Sequence, residues 1–190
     1  MILKIVSPIP PSVNSYLNYR VQKNKYNGKL FVQAYKSEQS LKYENIFLKI
    51  CKDEIKKQNW IIPDKNKYII VRATFYFQRP NLDINNHWKL PLDSFKQAEV
   101  YHDDSRVIEG ARRIYIDKNN PRIEFEIWEA PFIGIFDSED EFEGFKNANC
   151  RFCKKKSEKC STITRALENR LTGEIDIDTW LCNVRKHKVK

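Results

Sequence analysis

Glycine and proline together supply only 13 of the 190 residues, a scarcity that excludes a fibrous or Pro/Gly-rich low-complexity chain. Long hydrophobic runs are missing too: nothing approaches the ~18 consecutive apolar residues that a membrane helix needs. The opening residues Met1-Ile2-Leu3-Lys4-Ile5-Val6 have neither the apolar stretch nor the small-residue cleavage site of an export signal. A cytoplasmic protein without a membrane partner is therefore expected. Without export, the five cysteines are expected as reduced thiols or metal ligands rather than disulfides. No internal repeat is visible.

What is present fits a globular domain with a small appendix: 41% hydrophobic and 31% charged residues. The net charge of +9 is uneven, about +7 over Met1–Ala130 and about +2 over Pro131–Lys190. A basic surface suits a polyanion, because each Lys or Arg that meets a phosphate releases counterions. A solvated lysine-rich surface would give the same count, so charge alone leaves both readings open.

The pattern predicts an α/β (α+β) fold, a mixed sheet with helices packed against it. Ile2–Val6 reads as a strand, and the prolines at 8, 10 and 11 as an extended loop. Tyr19–Phe31 is basic and patternless, and is expected as a loop. A helix is predicted over Tyr35–Gln58, with Leu41, Leu48, Cys51 and Ile55 near one face and Cys51 in the core. Lys67–Gln78 alternates as a half-buried strand. A helix follows within Asn81–Val100. Val107–Asp117 and Arg122–Glu129 are strands, and the turn-forming Lys118–Pro121 suggests an antiparallel hairpin. Beyond Ala130 the composition changes. Residues 131–149, with the acidic run Asp137–Glu143, read as a linker; 150–190 read as a Cys-rich module, with a helix from Ser161 to about Leu171 ended by Gly173.

Two acidic groups flank the central helix. Asp83 follows the long strand, while Asp103 and Asp104 precede the next. If those strands are neighbours, both groups come to one end of the sheet, where their oxygens could share a hard cation. Magnesium suits such ligands, keeps several waters and can activate one against a phosphodiester. Asp and Asn equally serve as helix caps and turn formers.

Two separated motifs bear on that choice. Pro10-Pro11-Ser12-Val13-Asn14-Ser15-Tyr16, with Arg20 just beyond, resembles the N-terminal loop of the RusA family of Holliday junction resolvases. The family's signature Asp-x-Asp-Asn-x-x-Lys-x-x-x-Asp is met by Asp83, Asn85, Asn86, Lys89 and Asp93, and Asp103-Asp104 follows at the expected separation. The resemblance covers about Met1–Glu129. It implies a homodimeric, magnesium-dependent endonuclease that resolves four-way DNA junctions, with manganese as a substitute ion and no organic cofactor. By position, Asp83, Asn85 and Asp104 would hold the metal, Asp103 would support them, and Lys89 would face the phosphate or the leaving oxygen. Asn14, Tyr16 and Arg20 would belong to a DNA-binding loop.

The chain departs from the family in two places. Asn85 stands where the family has an acidic ligand, which removes a negative charge and weakens magnesium binding. A catalytically weakened, junction-binding protein is the alternative this implies. Pro91 falls inside the expected helix and has no N–H for the carbonyl of His87, so the helix either kinks or begins late with Pro91 in its first turn. His87 is expected at the surface, His102 without a direct role, and Trp88 in packing.

Four thiols close the chain: Cys150-x2-Cys153-x6-Cys160, then Cys182. So short a segment buries little apolar surface, and a metal would supply folding energy. Tetrahedral zinc is the first expectation and an iron–sulfur cluster the second. Unligated thiols remain open. Lys154, Lys155 and Lys156 offer an extra DNA contact.

Overall fold

A computed structural model describes residues 1–65, 67–155 and 159–185. The chain forms two units, Met1–Glu129 and Ala130–Lys190. The first is a four-stranded mixed sheet in which Leu3–Ser7, Arg122–Glu129, Ile69–Phe77 and Val107–Ile116 lie side by side in that order. The strands are β1 Leu3–Ser7, β4 Ile69–Phe77, β5 Val107–Ile116 and β6 Arg122–Glu129. β1 and β4 both run antiparallel to β6, and β5 runs parallel to β4. Among the described residues no helix is long and apolar enough to cross a membrane.

Alternation places the core. Ile69, Val71, Ala73, Phe75 and Phe77 of β4 line one face with Ile123, Phe125 and Ile127 of β6 and Leu3 and Ile5 of β1, all buried. Two helices cover them. α1, Glu38–Lys57, starts at Ser37, whose hydroxyl accepts the Ser40 N–H at 3.3 Å, a side-chain cap on an otherwise unpaired donor. Its Tyr43, Phe47 and Cys51 recur at helical spacing and are buried. Cys51 is thus a core residue, and burial pushes its thiol up to about 12. α2, Lys89–Gln97, buries Leu90, Pro91, Ser94 and Phe95. Phe95 meets Phe125 edge-on at 5.0 Å and Phe47 at 5.4 Å.

Three expectations change here. Tyr19–Phe31 is no loop: β2, Leu17–Lys23, and β3, Leu30–Lys36, form an antiparallel ribbon of their own. Most of its side chains are exposed on both faces, so no burial alternation marked the strands. β5 and β6 do not pair as a hairpin either, because β4 lies between them. Ile123, Phe125 and Ile127 are buried and draw β6 inward, whereas β5 carries exposed Ile108, Ile114 and Ile116 at the sheet edge. His87 is buried rather than superficial, its ring nitrogen 3.0 Å from the Pro10 carbonyl and its ring against Phe77.

The second unit has a separate core of Phe136, Phe145, Cys160, Ile163, Ala166 and Ile175. Phe136 is central, stacked on Trp180 at 5.0 Å and touching Phe142 and Phe145. Residues 131–149, expected as a linker, contain α3, Glu139–Asn149, which contributes Phe142 and Phe145 to this core. The acidic run is a helix start: Ser138 Oγ accepts the Glu141 N–H at 3.2 Å, and the Glu141 carboxylate turns back to the Asp137 N–H at 2.6 Å. Acidic residues at such an end are favoured by the helix dipole. α4 is shorter than expected, Ser161–Leu167, with Cys160 as its N-cap. Asn169, at φ +61, reverses the chain before Gly173 is reached. A small antiparallel pair, β7 Ile175–Asp176 and β8 Leu181–Cys182, completes the unit. Lys156 lies outside the described residues.

Gly134 gives this unit a direct test. Its φ is +58, and an added Cβ would lie 2.2 Å from the Ala166 carbonyl oxygen, so both backbone conformation and space demand glycine. Gly134→Ala is expected to destabilise the second unit by at least about 1–3 kcal/mol, read as a lower thermal midpoint. An unchanged midpoint would show that the close approach to Ala166 is dispensable.

Candidate active site

The connection from β4 to β5 positions the acidic residues. The two strands are neighbours, as the sequence reading required, but they run parallel. Asp83 therefore follows the C-terminal end of β4, and Asp103 and Asp104 precede the N-terminal end of β5. The chain between them returns through a 3₁₀ turn, Ile84–His87, and α2. The sheet alone does not bring these groups to one end. Any convergence depends on that returning helix.

Asp83 caps the 3₁₀ turn. Its carboxylate accepts the Asn85 N–H at 2.9 Å and the Asn86 side-chain amide at 3.3 Å. The turn packs beside a second one, Val13–Ser15, which contains Asn14. Trp88 is buried between Phe75 and Phe125, as packing requires. Pro91 lies in the first turn of α2, where its missing N–H costs nothing, and Lys89 opens the helix.

One face of α2 is the densest part of the region. Lys89, Asp93 and Lys96 recur at i, i+4 and i+7 and so share a stripe. Lys89 Nζ donates to Asp93 at 2.6 Å, and the Tyr16 hydroxyl donates to the other oxygen of Asp93 at 3.2 Å. Lys96 reaches Asp104 at 3.1 Å and Asp103 at 3.5 Å. The hydrogen bond to Asp93 raises the pKa of Lys89, and the bond to Asp104 raises that of Lys96. The Ser105 backbone N–H, followed by contact with Asp104, holds the Asp103 carboxyl below the usual range. Burial, then the negative charge of Asp93, raises the Tyr16 phenol.

Asp93 and Lys96 were not assigned roles from sequence. Asp93 ends the signature that identified Lys89, and the i,i+4 spacing from Lys89 was the available signal. Lys96 had no motif to mark it. A supporting network joins the same helix to the ribbon: buried Glu44 of α1 accepts from Lys36 at 2.5 Å and from Gln97 at 2.7 Å, and Lys36 sits 5.9 Å from the centre of the Tyr16 ring. Arg20, on β2, donates twice to Gln33 and lies over Tyr35. His102 lines a shallow recess with Tyr101, Asp103 and Arg106.

Among the described residues, no three His, Cys, Asp or Glu side chains are gathered into a ready ion-binding group. The donor chemistry around α2 nonetheless suits magnesium, with hard carboxylate oxygens at Asp93, Asp103 and Asp104 and lysines balancing their repulsion. Asp103 and Asp104 are about half exposed, 55% and 45%, so an incoming phosphate or hydrated ion can reach them.

In the second unit, Cys150 ends α3, the Cys153 N–H bonds back to the Cys150 carbonyl at 3.1 Å, Cys160 opens α4 and Cys182 lies on β8. Burial raises the Cys150 thiol, and neighbouring Cys160, Cys153 and Cys182 raise it further.

A scan of family profiles matches residues 8–128 to the family described as Endodeoxyribonuclease RusA. A search of curated proteins gives no match.

Proposed function

Because the chain belongs to the RusA endodeoxyribonuclease family over residues 8–128, we propose that it is a magnesium-dependent nuclease that resolves four-way DNA junctions during recombination and repair in the cytoplasm. The observation that carries this reading is the stripe of α2, where Lys89 pairs with Asp93 and Lys96 with Asp103 and Asp104, within the family-matched unit. Bound there, magnesium or manganese would supply an activated water and neutralise phosphate charge. Asp83, Asn85 and Asp104 remain our ligand set by motif position, with Asp103 in support and Asp93 added from the geometry. Lys89 and Lys96 each hold a proton in a hydrogen bond to a carboxylate, so both can offer a cation to a phosphate oxygen. Asn14, Tyr16 and Arg20 would orient the backbone of the DNA. Selectivity would then rest on junction shape rather than base edges.

Symmetric incision of a junction needs two sites related by a twofold axis, so the working form is proposed to be a homodimer. Incubation of a synthetic four-way junction with the protein and magnesium is the direct test. Paired nicks on opposing strands are expected. Intact junctions at high protein concentration, in magnesium and in manganese, would leave only binding.

Asn85 favours a second reading, a junction-binding protein with weakened catalysis. Asn85→Asp distinguishes the two. It restores a negative ligand and is expected to tighten magnesium binding and raise cleavage by about 10-fold or more, measured as initial rate against magnesium concentration. A large gain from an inert parent marks a lapsed enzyme. No gain from an active parent shows that Asn85 already serves.

A further inference from the structure

The second unit contains four of the five cysteines and lies beyond the family match. We propose that Cys150, Cys153, Cys160 and Cys182 bind one structural zinc ion that fastens α3, α4 and the β7–β8 pair to one another. The inference is independent of the nuclease reading.

Backbone geometry is the first support. Cys150 and Cys153 bracket a turn closed by the Cys153 N–H on the Cys150 carbonyl, so both side chains leave one short loop. Cys182 reaches the same place from the far end of the unit. Its N–H donates to Asn149 Oδ1 at 3.0 Å, and Asn149 is the residue before Cys150. The Asn149 amide also donates to the Trp180 carbonyl at 2.9 Å and the Phe145 carbonyl at 3.1 Å. This buried asparagine therefore ties β8 to the end of α3. Cys160, Cys150 and Cys182 pack on one apolar cluster around Phe136, Ile163 and Trp180.

The sulfurs are not gathered around a common point among the described residues. Zinc binding would draw them together, and its test below reads whether it does. Four deprotonated thiols release their protons to solvent and with Zn²⁺ carry a net charge of about −2. Arg151, Lys154, Lys155 and Lys159 are close in sequence to offset it.

Energetics make a staple useful. Among the described residues this core has six buried members, served by helices of 11 and 7 residues and strands of two. A unit so small gains little from apolar burial alone, and a bound ion contributes folding energy directly.

The test uses the full chain purified without added metal. Elemental analysis is expected to give about one zinc per chain, with four thiols shielded from a thiol reagent until a chelator is added. Cobalt exchange should give the absorption of a tetrahedral thiolate site. Cys153→Ser and Cys182→Ser should each weaken zinc retention by about 10-fold or more. If a variant fails to fold, chelation of the parent protein still decides, through exposure of four thiols and loss of near-ultraviolet signal from Trp180. Metal content below about half an equivalent, or rapid reaction of all four thiols before chelation, overturns the proposal. Iron with acid-labile sulfide also overturns it, in favour of a cluster. None of these readouts involves cleavage, so failure here and failure of the nuclease reading are distinguishable.

Discussion

Asp104→Asn is expected to reduce junction cleavage by about 10²-fold or more while leaving junction binding intact. The substitution keeps the shape of the side chain and removes its charge, and Asp104 is about half exposed, so the fold loses little. What is lost is the charge of a proposed metal ligand and of one of the two carboxylates paired with Lys96. Partners that merely orient a metal ligand are worth roughly 10–100-fold, and a residue in the ligand set should be worth at least as much. Binding, measured by gel shift in a chelator, should hold or tighten, because one repulsive charge against phosphate has gone. A variant that cleaves within about tenfold of the parent would remove Asp104 from the catalytic set.

The largest stability effect is expected at Phe125. It is 1% exposed, lies at the middle of β6, and contacts Phe47, Phe95 and Trp88 at 6.3, 5.0 and 6.1 Å between ring centres. Both helices and the sheet meet at this ring. Phe125→Ala should cost about 3–5 kcal/mol, the combined loss of apolar burial and cavity formation. Chemical denaturation reads it as a lower midpoint with an unchanged slope. A loss under about 1 kcal/mol would show that the neighbouring aromatics collapse into the space, and that Phe125 is not the keystone.

The sequence carried most of the elements and less of their arrangement. β4 was legible because one face is buried and the other is not, so its side chains alternate without exception. The resemblance built on Asp83, Asn85, Lys89 and Asp103-Asp104 identified the family that the match over residues 8–128 shows. Pairing was harder. Nothing local in Val107–Ile116 and Arg122–Glu129 says that β4 separates them, because sheet order is decided by which strand buries more apolar surface. The ribbon Leu17–Lys36 was invisible for the opposite reason, having too little burial to impose a pattern. His87 looked superficial since a polar residue at a helix start usually is. Its ring is met by the Pro10 carbonyl, 77 residues earlier. The acidic residues around Ser138 suggested a linker by composition, although Ser138 and Glu141 have the spacing of a capping box.

The parallel pairing of β4 and β5 has a consequence for how this region tolerates change. Because the strands point the same way, the chain returns from Asp83 to Asp104 through α2, which carries Lys89, Asp93 and Lys96 on one side. A helix advances about 100° per residue. A single insertion or deletion between Lys89 and Lys96 would therefore swing one end of the row toward the core while the other stayed in place. The helix behaves as a phase-locked spacer, whose residue number is constrained more tightly than the identity of most of its side chains.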